Sequence, residues 1–308
     1  MKLKALSNYD GDTETRFGDC ILLYDKQALV IYDCGHEKHA EAVAEFLEDN
    51  ASIKDVSIVV SHGHEDHVNG IGKLFELLID ANREATVYTP LYLKDAEKVL
   101  EILDDDRRTL PATKKKILEI FDGLAAIITS ATDQGFSIAD ARIDTTIAGT
   151  SCKIIGPTED EFAEVIAEAV KTDGKGNIDD ETVMNAASVQ VKSDMENSKR
   201  VLLCGDATPE YLHDLEDYRI VQLPHHGKLS SAETVFGKIF ANIGAYTFLI
   251  SDNTGNSNGG SDELEGSLIR TGKFIKNTKK DGVIDLGAIP ALPSSEAASK
   301  RYGVCAGL

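Results

Sequence analysis

The stretch Asp55-Val56-Ser57-Ile58-Val59-Val60-Ser61-His62-Gly63-His64-Glu65-Asp66-His67 decides how this chain is read. Its first half is a short apolar, β-branched run, which predicts a buried strand. Its second half packs three imidazoles and two carboxylates into one turn, at the spacing H-x-H-x-D-H. Side chains so rich in lone pairs and charge gather in a turn when a cation holds them. Downstream, Val68-Asn69-Gly70 leads into Ile71-Gly72-Lys73-Leu74-Phe75-Glu76-Leu77-Leu78, whose apolar spacing is helical. The cluster therefore lies where a strand ends and a helix begins, which is where α/β folds carry their sites.

Two later strands end in the same way. Val201-Leu202-Leu203-Cys204 runs into Gly205-Asp206, and Ile220-Val221-Gln222-Leu223 runs into Pro224-His225-His226-Gly227. In each, a glycine permits close backbone approach beside a ligand-type residue. Alone, Asp206 would read as a cap for a helix starting near Pro209. Ligand residues at three strand ends point instead to one metal centre. His36 and His39 lack such spacing and are expected at a helix start, in solvent.

Composition narrows the field. The 308 residues, 42% hydrophobic, suffice for a large core. No run approaches the roughly 20 apolar residues of a membrane span, and Met1 to Tyr9 lacks a signal-peptide core. A cytoplasmic protein without membrane contact is the expectation. Five scattered cysteines with no C-x-x-C pair read as reduced, buried thiols. The net charge of −20 disfavours a non-specific grip on long nucleic acid, which needs Lys and Arg against phosphates. The basic run Lys114-Lys115-Lys116 reads as a solvated helix face.

The rest of the chain alternates strand and helix. Ile21 to Tyr24 and Leu29 to Tyr32 predict a hairpin, followed by a helix from Glu37 to Leu47 and a strand over Thr86 to Tyr88. From 90 to 135 the pattern is helical only, with helices over Lys94 to Leu103 and Leu110 to Ser130. We read this stretch as an insertion over the core of a single domain spanning 1–308. Strands resume at Cys152 to Pro157, with Thr158 capping the next helix. Others follow at Ser188 to Val191, Arg200 to Cys204, Arg219 to Leu223, Ala245 to Ile250 and Gly282 to Leu286, with a helix near Leu264 to Phe274.

H-x-H-x-D-H, then strand-Gly-Asp, then strand-Pro-His-His-Gly, resembles the metallo-β-lactamase superfamily. The order Gly18-Asp19-Cys20, Asp33-Cys34-Gly35, Asn185 to Val189, Cys204-Gly205-Asp206 and Pro224-His225-His226-Gly227 is similar to the hydrolase domain of ComEC-type DNA-uptake proteins. The resemblance spans about residues 15 to 290. It implies an α/β fold, an αββα sandwich of the metallo-β-lactamase type, with metals in a cleft at the sheet edges. By position, His62 and His64 would bind one ion, Asp66 and His67 a second, Asp206 would bridge them, and His225 would complete the second site. Asp33 would support the turn from behind. His226 is either a proton donor or substrate contact, or a histidine packed behind the site. The superfamily's further histidine for the first ion is missing from Val183-Met184-Asn185-Ala186-Ala187-Ser188, where Asn185 can offer a carbonyl oxygen instead.

Divalent ions, zinc or manganese, one or two per chain, are therefore expected. A shared water with its pKa lowered towards ~7 supplies a metal-bound hydroxide, with Asp66 orienting it and His226 a candidate acid. The implied reaction is metal-dependent hydrolysis of a phosphodiester, as in a nuclease or nucleotide phosphodiesterase. The substrate would be a small molecule, nucleotide or short nucleic acid. A carboxylic ester, lactone or thioester hydrolase and a catalytically impaired metal-binding regulator are the alternatives.

Overall fold

A computed structural model describes residues 1–7, 18–239, 245–252, 260–264 and 274–286. The first sheet-forming strands are β1 (Lys2–Ala5), β2 (Ile21–Tyr24), β3 (Ala28–Tyr32), β4 (Asp55–Val59), β5 (Thr86–Thr89) and β6 (Ser137–Asp140). Then come β7 (Lys153–Gly156), a two-residue hairpin of β8 (Asn177–Ile178) and β9 (Glu181–Thr182), β10 (Gln190–Asp194), β11 (Arg200–Leu203), β12 (Ile220–Gln222), β13 (Thr247–Ile250), β14 (Phe274–Asn277) and β15 (Ile284–Leu286). One sheet runs β15-β1-β2-β3-β4-β5-β6 and the other β14-β13-β12-β11-β10-β7. Each is mixed: β3, β4, β5 and β6 pair in parallel, as do β11, β12, β13 and β14.

Strand alternation builds three apolar layers. Val30, Tyr32 and Val59 point inward, meeting Val191, Val201, Leu203, Ile220 and Leu249 between the sheets. Their neighbours Leu29, Ile31 and Ile58 point out, under helices α1 (Glu37–Asp49), α2 (Glu65–Val68) and α3 (Ile71–Asp80). Leu202, Val221 and Phe248 point out on the other side, against Ala232, Val235 and Phe236 of the helix Leu229–Lys238. Helix, sheet, sheet, helix is the αββα sandwich expected.

Between β5 and β6 lie α4 (Ala96–Leu103), α5 (Leu110–Ile120) and α6 (Asp122–Asp133). The single helix expected over Leu110 to Ser130 is two, broken at Phe121, whose ring stacks on Tyr92 at 3.9 Å. α7 (Glu159–Thr172) begins with a capping box between Thr158 and Glu161. α8 (Val183–Ala186) is a single turn capped by the Thr182 hydroxyl. Strands β1 and β6 were not expected. Most of the expected helix from Leu264 to Phe274 lies outside the described residues, and Phe274 itself begins β14. Cys20, Cys34, Cys152 and Cys204 are free and buried. No described helix is long and apolar enough to cross a membrane.

His36 does start α1, accepting from the Lys38 N–H at 3.1 Å, but His39 is wholly buried rather than in solvent. It lies on the inward stripe of α1 with Ala40 and Val43. Burial, with the neighbouring His36 charge, pushes its pKa down to about 3. As pH falls below 6.5 the unfolded chain takes a proton that the folded ring refuses, so stability is lost between about pH 6.5 and 3. By pH 4.5 this residue alone should cost about 2–3 kcal/mol relative to pH 7.5. Urea unfolding at the two pH values should show that loss in the wild type and its absence in His39→Leu.

Gly18 ties the first sheet to the histidine turn. Its φ is +61°, and a Cβ there would stand 1.5 Å from the Asp66 carbonyl oxygen. Backbone cannot give way so far. Gly18→Ala should therefore cost at least about 3 kcal/mol in urea unfolding.

Candidate metal centre

The turn is built by what surrounds it. Asp33, at the end of β3 with φ 60°, accepts from the Ser61 backbone N–H and hydroxyl, both at 2.7 Å. Its Oδ2 also lies 2.8 Å from His67 Nδ1. The Asp19 N–H donates to the Asp66 carbonyl and the Cys34 N–H to the His67 carbonyl, each at 2.9 Å. These bonds fix the His67 ring with Nε2 facing the cleft, as expected of a carboxylate behind a ligand imidazole.

Two donor groups result. In the first, His62, His64 and Asp206 bring ligand atoms within 4.8 Å of one another, with His62 Nε2 3.9 Å from Asp206 Oδ2. His62 is oriented from behind by the hydroxyls of Ser61 and Ser188, at 3.0 and 3.2 Å from its Nδ1. In the second, Asp206 Oδ1 lies 3.3 Å from His67 Nε2 and 3.9 Å from His226 Nε2, and Asp66 Oδ2 lies 3.1 Å from His226 Nε2. Asp206 thus stands between the groups, one oxygen facing each. Asp19 is also within 4.8 Å of His67 and His226. Its oxygens are already engaged, by His226 Nδ1 at 3.1 Å and by the Gln222 amide at 2.7 Å. We therefore read it as orienting His226.

His225 and His226 exchange their expected places. Both have left-handed backbone, φ 51° and 52°, so their side chains diverge. His226 turns inward, 3% exposed, with Nδ1 against Asp19 and the Ser251 carbonyl. His225 turns to Glu181, 2.7 Å from its Nδ1, and stays 20% exposed at the rim. His226 Nε2 thus stands among the donors, beside Asp66 and Asp206, while Nδ1 is held from behind by Asp19 and the Ser251 carbonyl. Glu181, itself buried and bonded to Lys228 and Ser231, carries no sequence signal. Asp19 does: it sits beside the glycine that contacts the turn.

The electrostatics suit a cation. Burial alone would lower the pKa of His67 and of His226, but Asp206 together with Asp33 or Asp19 outweighs it and raises both. Burial would raise Asp66 and Asp206, yet the adjacent imidazoles hold both low. Burial and the His67 charge lower His62. Protons on two rings thus balance carboxylates that divalent ions would otherwise neutralise. His62 Nε2, His67 Nε2, Asp206 Oδ1 and Asn185 Oδ1 are buried without a hydrogen bond of good geometry among the described residues. The orphaned imidazole nitrogens on either side of Asp206 fit a metal centre.

The helices between β5 and β6 reach this centre. A Cβ on Gly63 would stand 3.2 Å from Leu124 of α6. Leu124 also lines an apolar cavity of about 380 Å³ with Leu91, Tyr92, Ile117, Phe121 and Ile128.

Residues 13–143 match the family model described as the metallo-beta-lactamase superfamily. No curated protein matches the chain. Among solved structures, a Cronobacter sakazakii metallo-beta-lactamase with a HARLDQ motif is 16% identical, covering 89% of this chain and 87% of its own, at a TM-score of 0.34. The DIM-1 metallo-beta-lactamase exposed to ceftazidime is 11% identical, covering 78% and 81%, at 0.33. The Rm3 metallo-beta-lactamase is 12% identical, covering 86% and 83%, at 0.33. At such scores these likenesses add nothing to the strand order above. The family match falls on the segment that carries H-x-H-x-D-H, and together with the αββα strand order it supports a metallohydrolase of the metallo-β-lactamase fold.

Proposed function

We propose that the protein hydrolyses phosphodiester bonds in a small substrate, a nucleotide or a short single strand, using zinc or manganese. The observation that carries this reading is Asp206, set between two donor groups so that a pair of ions would share one carboxylate. Paired ions supply hydroxide at neutral pH and spread the charge that builds on phosphoryl oxygens. His62, His64 and Asp206 would hold one ion, and Asp66, His67, Asp206 and His226 the other. Asp66, at the edge of the second group, also orients the nucleophile. His225, anchored by Glu181 at the rim, contacts substrate rather than metal. The net charge of −20 supports a short substrate over long duplex.

A second reading, a carboxylic ester, lactone or thioester hydrolase, is favoured by the apolar cavity that ends at Leu124 against the metal turn. Bis(p-nitrophenyl) phosphate and a p-nitrophenyl ester, each assayed with manganese and with zinc after EDTA treatment, separate the two. Phosphodiester turnover restored by metal supports the first reading. Ester turnover alone transfers the function to the second, and no turnover of either with any metal overturns both.

A further inference from the structure

We propose that the Asn185 side-chain oxygen is the fourth donor of the first group, so that this site is an oxygen-rich set of His62, His64, Asp206 and Asn185. The inference rests on reading these groups as metal sites. His62, His64 and Asp206 lack the further histidine that the resemblance assigns to this ion, and one of the three, Asp206, is shared with the second group. Asn185 is the residue beside the gap: it is 2% exposed, and its amide nitrogen lies 3.4 Å from Asp206 Oδ2. Its oxygen is buried with no hydrogen-bond partner among the described residues. A buried amide oxygen left over on a side chain that touches the Asp206 carboxylate is an acceptor waiting for a positive charge.

The surrounding fold holds this residue in place. The Thr182 hydroxyl accepts from the Asn185 N–H at 3.2 Å, capping α8. The Ser188 hydroxyl donates to the Asn185 carbonyl at 2.8 Å and lies 3.2 Å from His62 Nδ1. One short segment thus orients both a ligand imidazole and the amide that completes its site. An amide turns over about its terminal bond, and here the oxygen has no protein partner to lose in doing so. Replacing an imidazole with a neutral oxygen softens the site's bias towards zinc, because carbonyl and carboxylate oxygens suit manganese and magnesium. The first group should therefore accept manganese readily and hold zinc with less than its usual advantage.

Manganese binding, followed by the electron paramagnetic resonance of free Mn²⁺ and by elemental analysis after dialysis, tests this without any activity assay. The wild type should bind an ion in each group. Asn185→Ala should keep the second-group ion and bind the first at least about tenfold more weakly. Asn185→Asp, which keeps an oxygen, should retain both. Asn185→His should raise the zinc-to-manganese affinity ratio at least about tenfold. Unchanged manganese affinity in Asn185→Ala, or an unchanged ratio in Asn185→His, overturns the proposal. The aspartate and histidine variants decide the matter even where the alanine variant does not fold. Failure of the wild type to bind any ion instead overturns the metal reading on which the proposal stands.

Discussion

Asp206→Ala should strip both ions from the protein and lower hydrolysis by on the order of 10³-fold. Asp206 is buried, with Oδ2 towards His62 and Oδ1 towards His67 and His226. Neither group keeps an adequate donor set without it. Losing a shared carboxylate removes several kcal/mol of transition-state stabilisation, and each 1.36 kcal/mol is a factor of ten. The metal-free variant should also be less stable. His67 and His226 owe their raised pKa values largely to Asp206, and without it burial penalises their charged forms. Breaking such a buried pair costs about 3–5 kcal/mol. Asp206→Asn, which preserves shape, separates loss of charge from loss of packing. Elemental analysis and urea unfolding check both expectations, and full metal content in Asp206→Ala would refute the sharing of this residue.

His226→Ala should lose the second-group ion while His225→Ala retains both. The two histidines are neighbours in sequence, so the contrast isolates direction rather than position. His226 faces Asp66 and Asp206, with Asp19 and the Ser251 carbonyl behind it. His225 spends its Nδ1 on Glu181 and lies at the rim. In His226→Ala the second group keeps Asp66, His67 and Asp206, and its affinity should fall on the order of 100-fold or more, at least the loss seen for residues that merely support a ligand. In His225→Ala the ions should stay and the Michaelis constant rise, because a rim contact with substrate is lost. The opposite pattern of metal loss would return His225 to the second site.

Much of this was legible in the chain. A β-branched run ending in H-x-H-x-D-H, followed by helical periodicity, placed the turn between β4 and α3. Glycines beside Asp206 and His226 marked the other two strand ends. The ambiguity between His225 and His226 was not resolvable, because their left-handed backbone decides which ring turns inward, and side-chain chemistry is the same for both. β1 is a four-residue strand of alternating exposure, and β6 is partly exposed along its length. Neither gives the continuous apolar run that announces a central strand. The break at Phe121 was hidden because apolar spacing continues across it with no proline. Glu181 and Asp19 orient histidines 44 and 207 residues away, and of the two only Asp19, beside Gly18, left a mark in the sequence.

Anomalous diffraction from crystals grown with manganese tests the central claim most directly. The account predicts two peaks, one among His62, His64, Asp206 and Asn185, the other among Asp66, His67, Asp206 and His226. A chain that scatters from neither position, or that holds an ion at His225 in place of His226, would contradict it.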